Sequence, residues 1–133
     1  MTLIGITGTK GKSTTAEMIA HLLSSAGVDV GYIGSGGAHY ADIHTPTENT
    51  TPDPLVLFRI LADMRRRGVR TAVLEVSSQA LAMHRIAGLV FPITVFTNLA
   101  PDHIGEGEHP DLAHYRREKA KLFSDYGDRK SVV

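Results

Sequence analysis

The feature that most constrains this chain is the run Gly8-Thr9-Lys10-Gly11-Lys12-Ser13-Thr14, set between a short apolar stretch and an amphipathic one. Residues 3–7 read as a buried strand. Residues 12–26 carry Ala16, Ile19, Leu22, Leu23 and Ala26 at helical spacing, and Gly27 supplies the stop. A glycine-rich turn between strand and helix lets the backbone wrap closely around an anion with its N–H groups. The helix N-terminus adds its partial positive charge. In that setting Lys12 reaches the β- and γ-phosphates of a nucleotide and the Ser13 hydroxyl ligates Mg2+. The usual pattern has a glycine five positions before Gly11, where this chain has Ile6, so the loop is a shortened form, G-x-x-G-K-S. A purely structural glycine turn is the plainer alternative. The strand–loop–helix context favours the phosphate loop.

The rest of the chain alternates in the same way. Residues 28–33 read as a second strand. Residues 34–51 are polar and rich in Gly, Thr and His, which predicts a long loop with room for a small hairpin. Thr51-Pro52-Asp53 opens a helix, with threonine as N-cap, proline in the first turn and an acid on the dipole. Leu55, Phe58, Leu61 and Ala62 are expected to line its buried face, Arg65-Arg66-Arg67 close it, and Gly68 ends it. Residues 71–75 form a third buried strand, and a short helix starts near Ser78. Residues 93–97 make a fourth strand, residues 111–123 a third long helix, and residues 131–133 a strand cut off at its start. The order predicts an α/β fold: a mostly parallel sheet with helices on both faces, joined by right-handed crossovers. Ligands bind such sheets beyond the carboxyl ends of the strands, where the loops after Thr7, Glu75 and Thr97 lie. Glu75, at the end of an apolar strand, matches the acid that meets the Mg2+ held by Ser13. A solvated strand end is the alternative.

Composition narrows the function classes. The 133 residues point to one domain, and the absence of cysteine excludes a disulfide framework and a thiolate metal site. Fourteen basic residues balance fourteen acidic ones, so no global field draws the chain to nucleic acid or an anionic membrane. No apolar run nears the ~20 residues of a spanning helix. The lack of cysteine fits a cytoplasmic location, and the first residues lack the charged and apolar regions of a signal peptide.

Five ordered motifs carry a resemblance. These are Gly8 to Thr14, Thr50-Thr51-Pro52, Glu75-Val76-Ser77-Ser78, Thr97-Asn98-Leu99 with Asp102-His103, and His114-Tyr115 with Lys119. Together they resemble the central ATPase domain of the Mur ligases, the ATP-dependent amide-bond synthetases of peptidoglycan precursors. Thr50-Thr51-Pro52 and Glu75-Val76-Ser77-Ser78 are most similar to the member that adds a third, diamino acid residue to UDP-N-acetylmuramoyl-L-alanyl-D-glutamate. Glu108-His109-Pro110 is similar to Gram-positive forms.

The resemblance implies that residues 1–133 are a partial, phosphate-loop-type central domain, incomplete at its C-terminus. The N-terminal UDP-binding and C-terminal acceptor domains would lie outside it, in a longer protein or on separate chains, and the isolated chain would form no amide bond. It implies ATP and Mg2+ as cofactors, with the UDP-N-acetylmuramoyl-dipeptide and an amino acid as ligands. It also implies an acyl-phosphate route in which the substrate carboxylate attacks the γ-phosphate and an amine then displaces phosphate. Gly8, Thr9, Lys10, Gly11, Lys12, Ser13, Thr14 and Asn98 would hold ATP. Ser13 and Glu75 would hold a first Mg2+ and His103 a second. Lys119 matches a lysine that the family carbamylates, which converts a cation into a carboxylate-like group towards Mg2+. Lys12, Glu75, His103 and Lys119 form the implied catalytic set, and Thr50, Thr51, Ser77 and Arg85 match substrate contacts. Lys10 stands where many members have asparagine, and Gln79 replaces a common histidine. Alternative readings are a folylpolyglutamate or poly-glutamate synthetase with the same core, or a nucleotide-binding remnant. Ser77 can equally cap the short helix.

Overall fold

The computed structural model describes residues 1–100 and 111–127. Ten elements follow one another: β1 (Thr2–Thr7), α1 (Lys12–Ser25), β2 (Val30–Gly34), β3 (Gly37–Tyr40), β4 (Ile43–Thr45), α2 (Pro54–Arg66), β5 (Thr71–Glu75), α3 (Ser78–Ala82), β6 (Ile93–Phe96) and α4 (Leu112–Ser124). The strands form one sheet in the order β4-β3-β2-β5-β1-β6. β2, β5, β1 and β6 run parallel, and β3 and β4 add an antiparallel edge. Ile6 lies opposite Glu75 and Thr7 opposite Phe96, so the loops after β1, β5 and β6 leave from one edge, as expected.

Side-chain alternation along the strands divides the core in two. Ile4, Ile6, Tyr32 and Val73 face Ala16 of α1. Leu3, Ile33, Ala72 and Leu74 face Leu57, Ile60, Leu61 and Met64 of α2, Leu81 of α3 and Leu122 of α4. Helices therefore cover both faces, three on one side and one on the other. α1 packs through Ala16 and the half-buried Ile19, Ala20 and Leu23, while Leu22 points to solvent.

The structure corrects the expected start of α2. Its N-cap is Asp53, extended at φ −59°, ψ 152°, with Pro54 as the first helical residue. A residue before proline is pushed out of the helical region, so the helix cannot begin earlier. Thr51 turns inward instead, where its hydroxyl donates to the Glu75 carbonyl at 2.9 Å. The buried stripe shifts too. Leu57, Ile60, Leu61 and Met64 face the sheet, whereas Leu55 is 67% exposed and Phe58 also reaches solvent. Both sets have helical spacing, and the tether at Thr51 selects between them.

The segment expected as a loop over residues 34–51 holds β3 and β4, which widen the sheet. Tyr40 of β3 donates to Asp63 of α2 at 2.8 Å, and Asp63 also accepts from Arg66 and Arg67, each at 2.9 Å. Arg66, then Arg67 and Tyr40, hold the Asp63 carboxyl well below the usual range. The strand expected at 131–133 lies outside the described residues. Leu57→Ala should cost about 2–5 kcal/mol of stability, through lost burial and a cavity. Leu55→Ala should stay within about 0.5 kcal/mol. Urea denaturation of the two variants checks the orientation of α2.

Candidate functional site

The phosphate loop joins β1 to α1 through two glycines with positive φ, Gly8 at 148° and Gly11 at 84°. A Cβ on Gly8 would strike the Thr97 hydroxyl, so only glycine lets the loop lie against the end of β6. Hydrogen bonds stitch the two together. The Thr9 amide donates to the Asn98 carbonyl at 2.9 Å, and the Lys10 amide donates to Asn98 Oδ1 at 3.0 Å. In return Asn98 Nδ2 and Thr97 Oγ1 donate to the Lys10 carbonyl, at 2.9 and 2.7 Å. Asn98 thus fixes the loop backbone, while the Lys10 side chain stays outside this lattice. The Ala100 amide donates to Thr9 Oγ1 at 2.9 Å, and the Tyr115 hydroxyl bonds the same oxygen at 2.9 Å.

Lys12 folds back over the loop and donates to the carbonyls of Gly8 at 2.9 Å and Thr9 at 3.3 Å. Lys119, only 2% exposed, donates to the same Gly8 carbonyl at 2.8 Å and lies 4.7 Å from the Tyr115 ring centre. Their four-residue spacing on α4 places Tyr115 and Lys119 on one face, against the loop.

Glu75 ends β5 with no exposed surface. Its Oε2 accepts from Ser13 Oγ at 3.0 Å and Ser35 Oγ at 3.4 Å. Oε1 accepts from the Tyr32 hydroxyl and from the Ser35 amide at 3.3 Å. A Cβ at Gly34 would collide with both Glu75 and the Tyr32 hydroxyl. Burial, and then the bond to Glu75, push the Tyr32 phenol far up, so it remains a donor. No Lys, Arg or His forms an ion pair with Glu75 among the described residues. A buried carboxyl group whose donors among the described residues are neutral, with a serine hydroxyl beside it, is an all-oxygen set that suits a hard divalent cation such as Mg2+. Among the described residues no group of three or more His, Asp or Glu gathers as a metal cage. His103, the expected second ligand, and its neighbour Asp102 lie outside the described residues.

The expected substrate residues join residue 75 through Ser35 and through its backbone carbonyl. Thr50 Oγ1 bonds Ser35 Oγ at 3.0 Å. Besides its bond to the Glu75 carbonyl, the Thr51 hydroxyl accepts from the Ser77 amide at 3.0 Å. Ser77 caps α3 by accepting from the Ala80 amide at 3.1 Å. Arg85 is buried, donates to the Thr51 carbonyl at 3.2 Å, and pairs with Asp53 across 3.2 Å without well-aligned hydrogen-bond geometry. Sequence reasoning missed Tyr32, Ser35 and Asp53. Tyr32 alone left a signal: on a buried strand a tyrosine brings a polar tip that needs a partner.

A strand, glycine loop and helix, with an acid ending the adjacent parallel strand, have the layout of a phosphate-loop domain. Residues 6–133 match the Mur ligase middle domain, and the chain belongs to that family. It is 41% identical over its whole length to a UDP-N-acetylmuramoyl-L-alanyl-D-glutamate--2,6-diaminopimelate ligase of Coxiella burnetii, of which it covers 27%. With a ligase of the same name from Chlorobaculum tepidum it shares 43% identity over 91% of this chain and 23% of the relative. A solved structure of such a ligase superposes with a TM-score of 0.82 at 36% identity, covering 92% of this chain and 24% of the other. The chain therefore spans about a quarter of the length of the relatives it matches. Gly11→Ala, which meets open space, should cost only the left-handed penalty of about 1–2 kcal/mol. Gly8→Ala should cost more, because it adds a clash with Thr97. Thermal denaturation of the two variants tests how tightly loop and β6 are joined.

Proposed function

We propose that this chain is the ATP-binding part of a cytoplasmic ligase of peptidoglycan precursor synthesis. That ligase would join a diamino acid to UDP-N-acetylmuramoyl-L-alanyl-D-glutamate. The observation that carries the reading is the phosphate loop closed by Ser13 and Glu75, at 3.0 Å, in a chain 41% identical to ligases of that name.

In the proposed reaction the substrate carboxylate attacks the γ-phosphate of ATP and expels ADP, and a neutral amine then attacks the carbonyl of the resulting acyl phosphate, releasing phosphate and a proton as the amide forms. The loop from Gly8 to Thr14 would bind the phosphates through its amides and the start of α1. Lys12 would exchange its bonds to the Gly8 and Thr9 carbonyls for phosphate oxygens and neutralise charge there. Ser13 and Glu75 would hold one Mg2+ and His103 a second, and the ions would supply charge neutralisation at the transferred phosphoryl group. Thr50, Thr51, Ser77 and Arg85 would form the edge that meets the UDP-muramoyl-peptide. Domains outside residues 1–133 would supply the UDP and amino-acid sites.

A carbamylated Lys119 keeps one N–H, so its bond to Gly8 can survive while its charge reverses from positive to negative. Incubation with 13C-bicarbonate should give a carbamate resonance that disappears in Lys119→Ala, and its absence from the wild-type protein would remove the carbamate from the scheme. The central test is nucleotide binding. Lys12→Ala should weaken ATP at least tenfold, about 1.4 kcal/mol, by calorimetry, and equal affinity in the two proteins would overturn the phosphate-loop reading.

A further inference from the structure

The surroundings of Glu75 treat its two oxygens differently. Oε2 accepts from Ser13 Oγ at 3.0 Å and, at the long distance of 3.4 Å, from Ser35 Oγ, while Oε1 is taken by the Tyr32 hydroxyl and the Ser35 amide. Tyr32 is 3% exposed and begins an aromatic ladder across β2, β3 and β4. Its ring meets His39 edge-on at 5.6 Å, and His39 stacks on His44 at 4.3 Å with the planes 21° apart. His39 Nε2 donates to the Gly36 carbonyl at 2.8 Å, and the Gly36 amide donates to the Tyr32 hydroxyl at 3.4 Å. The phenol is therefore held by ring packing from one side and by the β2–β3 turn from another, with its own proton directed at Oε1.

A carboxylate that rotates freely offers either oxygen, or both, to a cation. Mg2+ demands near-octahedral geometry and keeps several waters, so one fixed oxygen suits it better than a mobile pair. Hydrogen bonds to the non-coordinating atom of a ligand set that orientation. We propose that Tyr32 is a positioning residue for the metal end of the nucleotide site, holding Oε1 so that Oε2 is the single carboxylate donor beside Ser13. The ladder of His39 and His44 keeps the phenol in place. This inference rests on the reading of Ser13 and Glu75 as the Mg2+ end of the site, and it assigns a task to residues that the phosphate-loop motif does not contain.

The test is calorimetry of ATP binding by the wild-type chain and by Tyr32→Phe, each with Mg2+ and with a chelator. The substitution keeps the ring and removes only the hydroxyl. Metal-free ATP affinity should stay within about twofold, while the apparent Mg2+ affinity of the ATP complex should fall about tenfold or more, the scale expected for such outer partners. A Tyr32→Phe protein with undiminished Mg2+ affinity would overturn the proposal. So would equal losses with and without metal, which would make the hydroxyl a general structural group. Should Tyr32→Phe fail to fold, His39→Ala carries the test, since it loosens the phenol without removing it. A smaller loss confined to the metal-dependent arm supports the proposal, and no loss overturns it. Wild-type ATP affinity indifferent to Mg2+ would overturn the reading of the Ser13–Glu75 pair and this proposal with it, whereas a Mg2+-dependent wild type with an unchanged variant would overturn only the role of Tyr32.

Discussion

A carboxylate without solvent contact sits at the end of β5, and most of the site is arranged around it. Burying an ionised group costs several kcal/mol unless other groups replace its water. Here the replacements come from different parts of the chain: Ser13 from the start of α1, Tyr32 from β2 and Ser35 from the turn that follows. The backbone carbonyl of the same residue takes the Thr51 hydroxyl, which fixes the approach to α2. Residue 75 therefore joins the phosphate loop, the hairpin edge of the sheet and the α2 connection. Among the described residues the hydrogen-bond donors to this carboxyl group are all neutral, so the group offers oxygen ligands to a hard cation.

The positive side of the site is equally concentrated. Lys12 and Lys119 both donate to the Gly8 carbonyl, one from α1 and one from α4. A phosphate bound to the loop would meet Lys12 from α1. Asn98 and Thr97 hold the loop backbone in its curved form before any ligand arrives. Donors oriented in advance cost no reorganisation when charge develops.

Much of this was legible in the chain itself. The glycine spacing, with a strand before it and an amphipathic helix after it, places a tight turn between β1 and α1, and the structure has one there. Glu75 was legible because an acid closing an apolar strand has few bland explanations. The hairpin in residues 34–51 was only partly legible, since its strands are four and three residues long and too short to show a period. The face of α2 was misjudged because two stripes, one through Leu55 and Phe58 and one through Leu57 and Met64, share the helical repeat. Periodicity gives spacing and leaves rotation open.

Local patterning in the amino-acid order was thus enough for the alternation of strands and helices, the parallel sheet, and the placing of a glycine loop and Glu75 at the ends of adjacent strands. These depend on neighbours within a few residues, where steric and hydrogen-bonding rules act directly. The partner of each site residue was settled by packing instead. The Thr51 hydroxyl reaches a carbonyl 24 positions away, Tyr32 meets a carboxylate 43 positions away, and Lys119 reaches a loop 111 positions away. Such pairings follow from which strands lie side by side and in what register, and no pattern confined to a few neighbouring residues encodes that.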